Sequence, residues 1–349
     1  MRKTFDIQNL VRENVRGLSP YSSARDEYVS DGSNMVFLDA NESPFENGVN
    51  RYPDPQQRSL KAMLAEKNGV GTDRLLLGNG SDEVLDLIFR AFCEPKQDNI
   101  VTLPPTYGMY KVLAGINDVA NREVLLTETF EPDLPGIIKV VDARTKLLFI
   151  CSPNNPTGNR FSDQQVEELL RTFPGLVIID EAYIDFSQAK SWAEKLDNYP
   201  NLIVTQTLSK AYGMAGIRLG ICMASVEIIS ILNTIKPPYN VNELTQQRAA
   251  QRLHRQIEID DEINLIIAEK DMLSKVLVDV AYVHKVFPSD ANFVLAKVDD
   301  ADFRYRQLLE RGIVVRNRSS QPLCENTLRF TVGTVEENRK LLTTLKSLE

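Results

Sequence analysis

Histidine is almost missing from this 349-residue chain: His254 and His284 are the only two. That leaves little material for a His-rich metal site or a Ser-His-Asp triad, and no metal is expected. Cysteine is also scarce. Cys93, Cys151, Cys222 and Cys324 are scattered with no C-x-x-C pair, the pattern of reduced, mostly packed thiols in a cytoplasmic protein. No apolar run is long enough to span a bilayer. The N-terminal MRKTFDIQNL has two early cations but no apolar region behind them, so no signal peptide is expected. Excess positive charge is lacking too. A net charge of −8 argues against general affinity for nucleic acid or anionic membrane, while leaving room for a local cationic pocket.

The length suits a large domain plus a smaller one. Residues 1–35 read as an arm expected to pack with the small domain, with a short helix expected near Phe5–Arg12. Apolar runs then alternate with helical patterns. The runs are Arg74–Leu77, Asn99–Leu103, Glu123–Leu126, Lys146–Cys151, Leu176–Asp180, Leu202–Thr207 and Leu219–Met223. Most lack polar alternation, as strands buried on both faces do. Helix signals such as Ser81–Phe92 and Asp163–Thr172 lie between them. Residues 36–240 are thus expected to form a large α/β domain around a mostly parallel seven-stranded sheet. Past Pro237-Pro238 a long helical stretch runs from about Asn242 to Val280. Shorter strands are expected near Asn292–Val298, Ile313–Val315 and Leu328–Val332. Residues 241–349 read as a small α+β domain.

Four local sequences carry chemistry. Lys210 follows the run Leu202–Thr207 in Thr207-Leu208-Ser209-Lys210. A lysine there can project into the crevice at the carboxyl edge of an α/β sheet, where partial desolvation favours the neutral, nucleophilic amine. Taken alone, such a lysine is usually a solvated loop cation. Asp180 ends the apolar run Leu176–Asp180 and needs a partner, because an unpaired buried charge is costly. A pyridinium nitrogen would serve, with Tyr183 three residues on as a donor to the same ring; an ordinary helix cap is the plainer alternative. Ser152-Pro153-Asn154-Asn155-Pro156-Thr157-Gly158 is a rigid turn at a strand end, aiming Asn155 into the crevice, and its Asn155–Pro156 bond is a candidate for cis. Gly78-Asn79-Gly80-Ser81-Asp82-Glu83 is a glycine-rich turn opening a helix whose N-terminus favours a phosphate, with Arg218 and Ser209 as further donors. It is neither a P-loop nor G-x-G-x-x-G.

This order of segments resembles the class I and II aminotransferases of pyridoxal 5′-phosphate (PLP) fold type I, and more closely their histidinol-phosphate group. The resemblance rests on Arg51-Tyr52-Pro53-Asp54, Gly80-Ser81-Asp82-Glu83, Pro104-Pro105-Thr106-Tyr107-Gly108-Met109-Tyr110, Ser152–Gly158, Asp180-Glu181-Ala182-Tyr183, Thr207–Lys210 and Leu328-Arg329-Phe330-Thr331-Val332-Gly333-Thr334. It implies that Lys210 joins the cofactor aldehyde, that Asp180 pairs with the pyridine nitrogen, and that Asn155 and Tyr183 bond the ring hydroxyl oxygen. Tyr107 would stack on the ring, and Gly80, Ser81, Asp82, Ser209 and Arg218 would hold the phosphate. A homodimer is implied, with Tyr52 reaching the cofactor of the other subunit. On the substrate side it implies Asn155, Arg329, a second arginine (Arg316, with Arg318 as rival) and Tyr21 of the arm. The implied reaction is amino transfer between glutamate and imidazole-acetol phosphate, giving 2-oxoglutarate and histidinol phosphate. The alternatives are an aromatic aminotransferase, a threonine-phosphate decarboxylase, or a non-catalytic regulator; the short, weakly basic arm and the presence of Lys210 argue against the last.

Overall fold

The computed structural model describes residues 5–20 and 35–348. Seven strands form one sheet: β1 (Leu75–Asn79), β2 (Asn99–Thr102), β3 (Ala120–Glu123), β4 (Thr145–Cys151), β5 (Leu176–Asp180), β6 (Leu202–Thr207) and β7 (Leu219–Ala224), in the order β1-β7-β6-β5-β4-β2-β3. Only β7 runs antiparallel to its neighbours, β1 and β6; the other pairs are parallel. The absence of polar alternation in β4 and β5 now has its cause. Successive side chains point to opposite faces, and both faces are covered. Leu148, Ile150, Val177 and Ile179 enter one core. Leu147, Phe149, Leu176 and Ile178 enter the other.

A second sheet contains β8 (Val283–Val286), β9 (Phe293–Val298), β10 (Arg316–Asn317) and β11 (Thr327–Thr331), antiparallel throughout in the order β10-β11-β9-β8. Its own core joins Val294, Ala296, Leu328 and Phe330 to Leu273 and Leu277 of the long helix and to Leu341 and Leu345 of the C-terminal helix. Helix ends follow local chemistry. Ser162 with Gln165, and Thr334 with Glu337, each form a capping box at the start of Asp163–Thr172 and Val335–Ser347.

Several sequence expectations need correction. The N-terminal helix is a 3₁₀ turn at Ile7–Asn9 and an α turn at Glu13–Arg16, and this described part of the arm packs not on the small domain but on the large one, its apolar Ile7, Val11 and Val15 entering the core with Ile88 and Leu232. Between the two turns the backbone leaves helical pairing, and the Arg12 N–H bonds Ala91 O instead. The third strand is Ala120–Glu123, not Glu123–Leu126: it is a part-exposed edge strand that tolerates the polar Asn121, Arg122 and Glu123, and the apolar Val124 and Leu126 that follow pack into the core beyond it. The stretch Asn242–Val280 is two helices, Glu243–Leu253 and Gln256–Val278. No Gly or Pro breaks it. The turn is tertiary: Ala249 and Ile259 both enter the first core, and the Arg252 Nε–H bonds Tyr212 O at 3.1 Å across the corner. The strand near Ile313–Val315 lies at Arg316–Asn317, and β8, a half-exposed edge strand, was not anticipated. All four cysteines are buried and unpaired. Among the described residues no helix is long and apolar enough to cross a membrane.

Candidate active site

The carboxyl ends of β4, β5 and β6 open on a cavity of about 390 Å³. Its lining includes Ser81, Asp82, Tyr107, Asn155, Asp180, Tyr183, Ser209, Lys210, Arg218, Arg316, Arg318 and Arg329. Residues up to 248 positions apart in the chain, from Ser81 to Arg329, therefore share one space.

Each wall has a local cause. After β4, the Ser152–Pro153 and Asn155–Pro156 bonds are cis, and Asn154 is fully buried. Asn154 Nδ2 donates to Pro105 O at 2.8 Å and to Thr157 Oγ1 at 2.7 Å, and its Oδ1 accepts from Thr106 Oγ1 at 2.9 Å. This lashes the turn to the loop after β2 and leaves Asn155 facing the cavity, where its Oδ1 accepts from Arg329 Nη1 at 2.6 Å. Asp180 is 3% exposed. Its Oδ1 accepts the Ala182 N–H at 3.2 Å and its Oδ2 accepts the Tyr110 O–H at 2.7 Å. Burial pushes this carboxyl up, and those two donors act against it.

The glycine-rich turn is packed directly on β7. Gly80 has φ +83°, and a Cβ there would lie 2.6 Å from Arg218 Nη2. A Cβ on Gly220 would meet Ser81 N at 2.3 Å. Only glycine permits both approaches. Glu83 accepts the Asn79 N–H and, at 2.8 Å, Asn240 Nδ2, which also donates to Leu77 O at 3.0 Å. The N-cap Gly80 supplies no side-chain cap to the helix Ser81–Phe92, whose first residues Ser81 and Asp82 line the cavity, with Arg218 Nη2 3.5 Å from Asp82 Oδ2. Ser209 is fixed through Thr207: the Thr207 O–H donates to Ser209 Oγ at 2.9 Å, and the Ser209 N–H bonds back to Thr207 Oγ1 at 3.1 Å.

The Lys210 amine is open to the cavity mouth, yet protein encloses it on most sides. Burial first, then the Arg329 charge, pushes its pKa below the ordinary lysine value; Asp180 opposes this. Its Nζ lies 5.8 Å from the centre of the Tyr183 ring. The facing wall is cationic. Arg316 sits directly opposite Arg329 in the β10–β11 pair, which places both side chains on one face. Burial, then Arg329 and Arg316, push Arg318 down to about 10, so it stays charged at neutral pH. The Nε atoms of Arg318 and Arg329 are buried without a hydrogen-bond partner. Among the described residues none of these three arginines is ion-paired.

Two anticipated residues among those described, Gly80 and Tyr52, do not line this cavity. Tyr52 is 52% exposed, stacks on Tyr239 at 4.5 Å, and lines a separate groove with Arg51 and Asn242. Tyr21 lies outside the described residues. One residue was overlooked: Tyr110, quoted within a motif but given no role. Its helical, apolar setting reads as core, and only the tertiary contact with Asp180 reveals it. Among the described residues no group of three or more His, Cys, Asp or Glu side chains is arranged to hold a metal ion.

A sequence profile for aminotransferase class I and II matches residues 36–345. The chain belongs to the class I and II aminotransferases. Among relatives of this family it is 64% identical over 346 residues to the histidinol-phosphate aminotransferase of Flavobacterium johnsoniae, covering 99% of each chain. It is 61% identical over 347 residues to that of Christiangramia forsetii, again covering 99% of each. The crystal structure of the histidinol-phosphate aminotransferase from Clostridium acetobutylicum matches with a TM-score of 0.79 at 26% identity, covering 86% of this chain and 91% of that one. The cofactor of this class I and II aminotransferase is pyridoxal 5′-phosphate. The residues present fit it: a closely packed glycine cradle beside Arg218 for a phosphate, a buried carboxylate for a ring nitrogen, and a lysine with a lowered pKa for an aldehyde.

Proposed function

We propose that this chain transfers an amino group from L-glutamate to imidazole-acetol phosphate, giving 2-oxoglutarate and L-histidinol phosphate, a step of L-histidine synthesis. The observation that carries this reading is the arginine wall facing Lys210, whose three members have no ion-pair partner among the described residues. Like charges placed opposite one another in a sheet are unfavourable, so Arg316, Arg318 and Arg329 fit a site completed by an anionic substrate. A carboxylate and a phosphate both suit guanidinium forks, which lets one pocket take glutamate and a phosphorylated ketone in turn.

Each side chain then has a task. PLP, when bound, supplies an electron sink for the substrate Cα carbanion. Lys210 would hold the cofactor covalently, and its free amine would move the proton at the substrate Cα as general base and then acid. Its lowered pKa keeps more of the amine neutral near neutral pH. Asp180 keeps the ring nitrogen protonated. Asn155 and Tyr183 orient the ring hydroxyl oxygen, and Tyr107 covers a ring face. Gly80, Ser81, Asp82, Ser209 and Arg218 hold the cofactor phosphate, the N–H groups of Ser81 and Asp82 adding the helix-end field. Arg329 takes the substrate carboxylate or phosphate with Arg316 as the second arginine and Arg318 as its rival, and Tyr21 closes over the phosphate.

The assembly we propose is a cytoplasmic homodimer in which Tyr52 reaches the partner's cofactor. Its exposure and its place in a groove separate from the Lys210 cavity support this. We also divide the chain into an arm (1–35), a large PLP-binding domain (36–240) and a small domain (241–349). The test is amino transfer from glutamate to a panel of acceptors. Preference for imidazole-acetol phosphate is expected. Preference for aromatic keto acids, or carbon dioxide release from threonine phosphate, would replace the substrate assignment.

A further inference from the structure

Tyr110 occupies a place that a phenylalanine would ordinarily fill. It lies in the first turn of the helix Met109–Ile116, on the buried face with Leu113 and Ala114, and is 0% exposed. Its ring stacks on Phe149 of β4 at 4.9 Å and 18°, and meets the edge of Tyr107 at 5.5 Å and 84°. A hydroxyl in such a core is costly unless bonded, and this one donates to Asp180 Oδ2 at 2.7 Å. The other carboxylate oxygen accepts the Ala182 N–H. Among the described residues the other side chains near Asp180 are neutral or acidic apart from the Lys210 amine: the Thr205 hydroxyl, the Cys151 thiol, the Tyr107 and Tyr183 phenols and the Asp82 carboxylate.

We propose that Tyr110 is a positioning residue: its hydroxyl fixes the rotation of the Asp180 carboxylate and draws charge from it, and so sets how tightly Asp180 holds the proton on the cofactor's ring nitrogen. This rests on the cofactor reading above. A carboxylate with one oxygen pinned by a backbone N–H and the other by a phenol presents its remaining lone pairs in a fixed direction. Burial alone would favour the neutral acid, and the Tyr110 donor offsets that tendency. The same ring also braces Tyr107, so one side chain touches both the residue at the ring face and the residue at the ring nitrogen.

Tyr110→Phe removes the donor and keeps the ring. Without it Asp180 becomes more basic, the cofactor ring loses electron-withdrawing power, and the Lys210 nitrogen joined to it keeps its proton to higher pH. The pH midpoint of the bound cofactor's visible band is therefore expected to rise by about one pH unit, since a hydrogen bond to a charged group is worth on the order of one pKa unit. kcat should fall about tenfold with KM for glutamate held within about twofold. In an Asp180→Asn background the same substitution should move neither quantity, because the residue through which it acts is gone. Replacing Tyr110 by 3-fluorotyrosine, a stronger donor of nearly the same shape, should move the midpoint downward, and it gives a readout even if the Phe protein folds poorly. An unchanged midpoint in both variants, or an equal shift in the Asp180→Asn background, overturns the proposal. A wild-type protein with no visible band on PLP addition would instead overturn the cofactor reading.

Discussion

At the scale of single residues, the site sets charges against their ordinary preferences. Lys210 is held below the usual lysine pKa by burial and by Arg329. A lowered pKa means the neutral amine appears at lower pH. PLP capture by the apoprotein should accordingly accelerate with rising pH and level off below the value of about 10.4 typical of free lysine. Arg329→Ala removes one neighbouring cation, so the midpoint should move upward; stopped-flow absorbance reads both. Lys210→Ala should abolish the visible band with fold retained by circular dichroism, and a persisting band would mean another residue holds the cofactor. The arginines are separable by substrate. Losing a charge-assisted bond of about 1.5–3 kcal/mol should raise KM by roughly ten- to a hundredfold. Arg329→Ala should do so for glutamate and histidinol phosphate alike. Arg316→Gln and Arg318→Gln should weaken the phosphorylated substrate more. If Arg318→Gln changes neither KM, the second-arginine role belongs to Arg316 alone.

At the scale of elements, the site depends on how closely the glycine turn approaches β7. Gly220→Ala puts a Cβ against backbone atoms of Gly80 and Ser81, so the turn must lift from the strand. Overpacking of this kind costs about 1–3 kcal/mol and should loosen PLP as well as lower the melting temperature. Gly115→Ala is the opposite case. It sits in the helix Met109–Ile116 with no heavy atom within 4 Å of the added carbon, so it should stabilise by about 0.5–1 kcal/mol with cofactor affinity unchanged. Thermal melts of holo and apo protein distinguish the two. The same elements explain what the sequence made legible. Ser81–Phe92 and Asp163–Thr172 appear as read, because their apolar faces and first-turn chemistry are local. The central strands were visible as unalternating apolar runs. Edge elements were not: Ala120–Glu123 and Val283–Val286 bury little, so no pattern marks them. The bend at His254–Arg255 was equally hidden, since its cause is contacts distant in sequence. In the site, the strand-end residues were readable from their motifs, whereas Tyr110 was masked by a helical apolar context.

At the scale of the whole molecule, one chain gathers Lys210, Asp180, the glycine turn and the arginine wall in one cavity, while Tyr52 stands elsewhere with its ring against Tyr239. Val49 and Leu244, which line the same groove, are exposed apolar side chains. An apolar surface of this kind suits burial against another chain, and in a two-fold dimer any residue lent to the partner is received in return. Lys210→Ala and Tyr52→Ala make this testable together. Each homodimer should be nearly inactive: one lacks the lysine in both sites, the other lacks the tyrosine in both. Refolding them from a mixture forms hybrids. If Tyr52 acts across the interface, the Lys210-bearing site of each hybrid receives an intact Tyr52 from its partner, and with random pairing about a quarter of wild-type activity should return. If Tyr52 acts within its own chain, no hybrid holds a complete site and the mixture stays as inactive as its components.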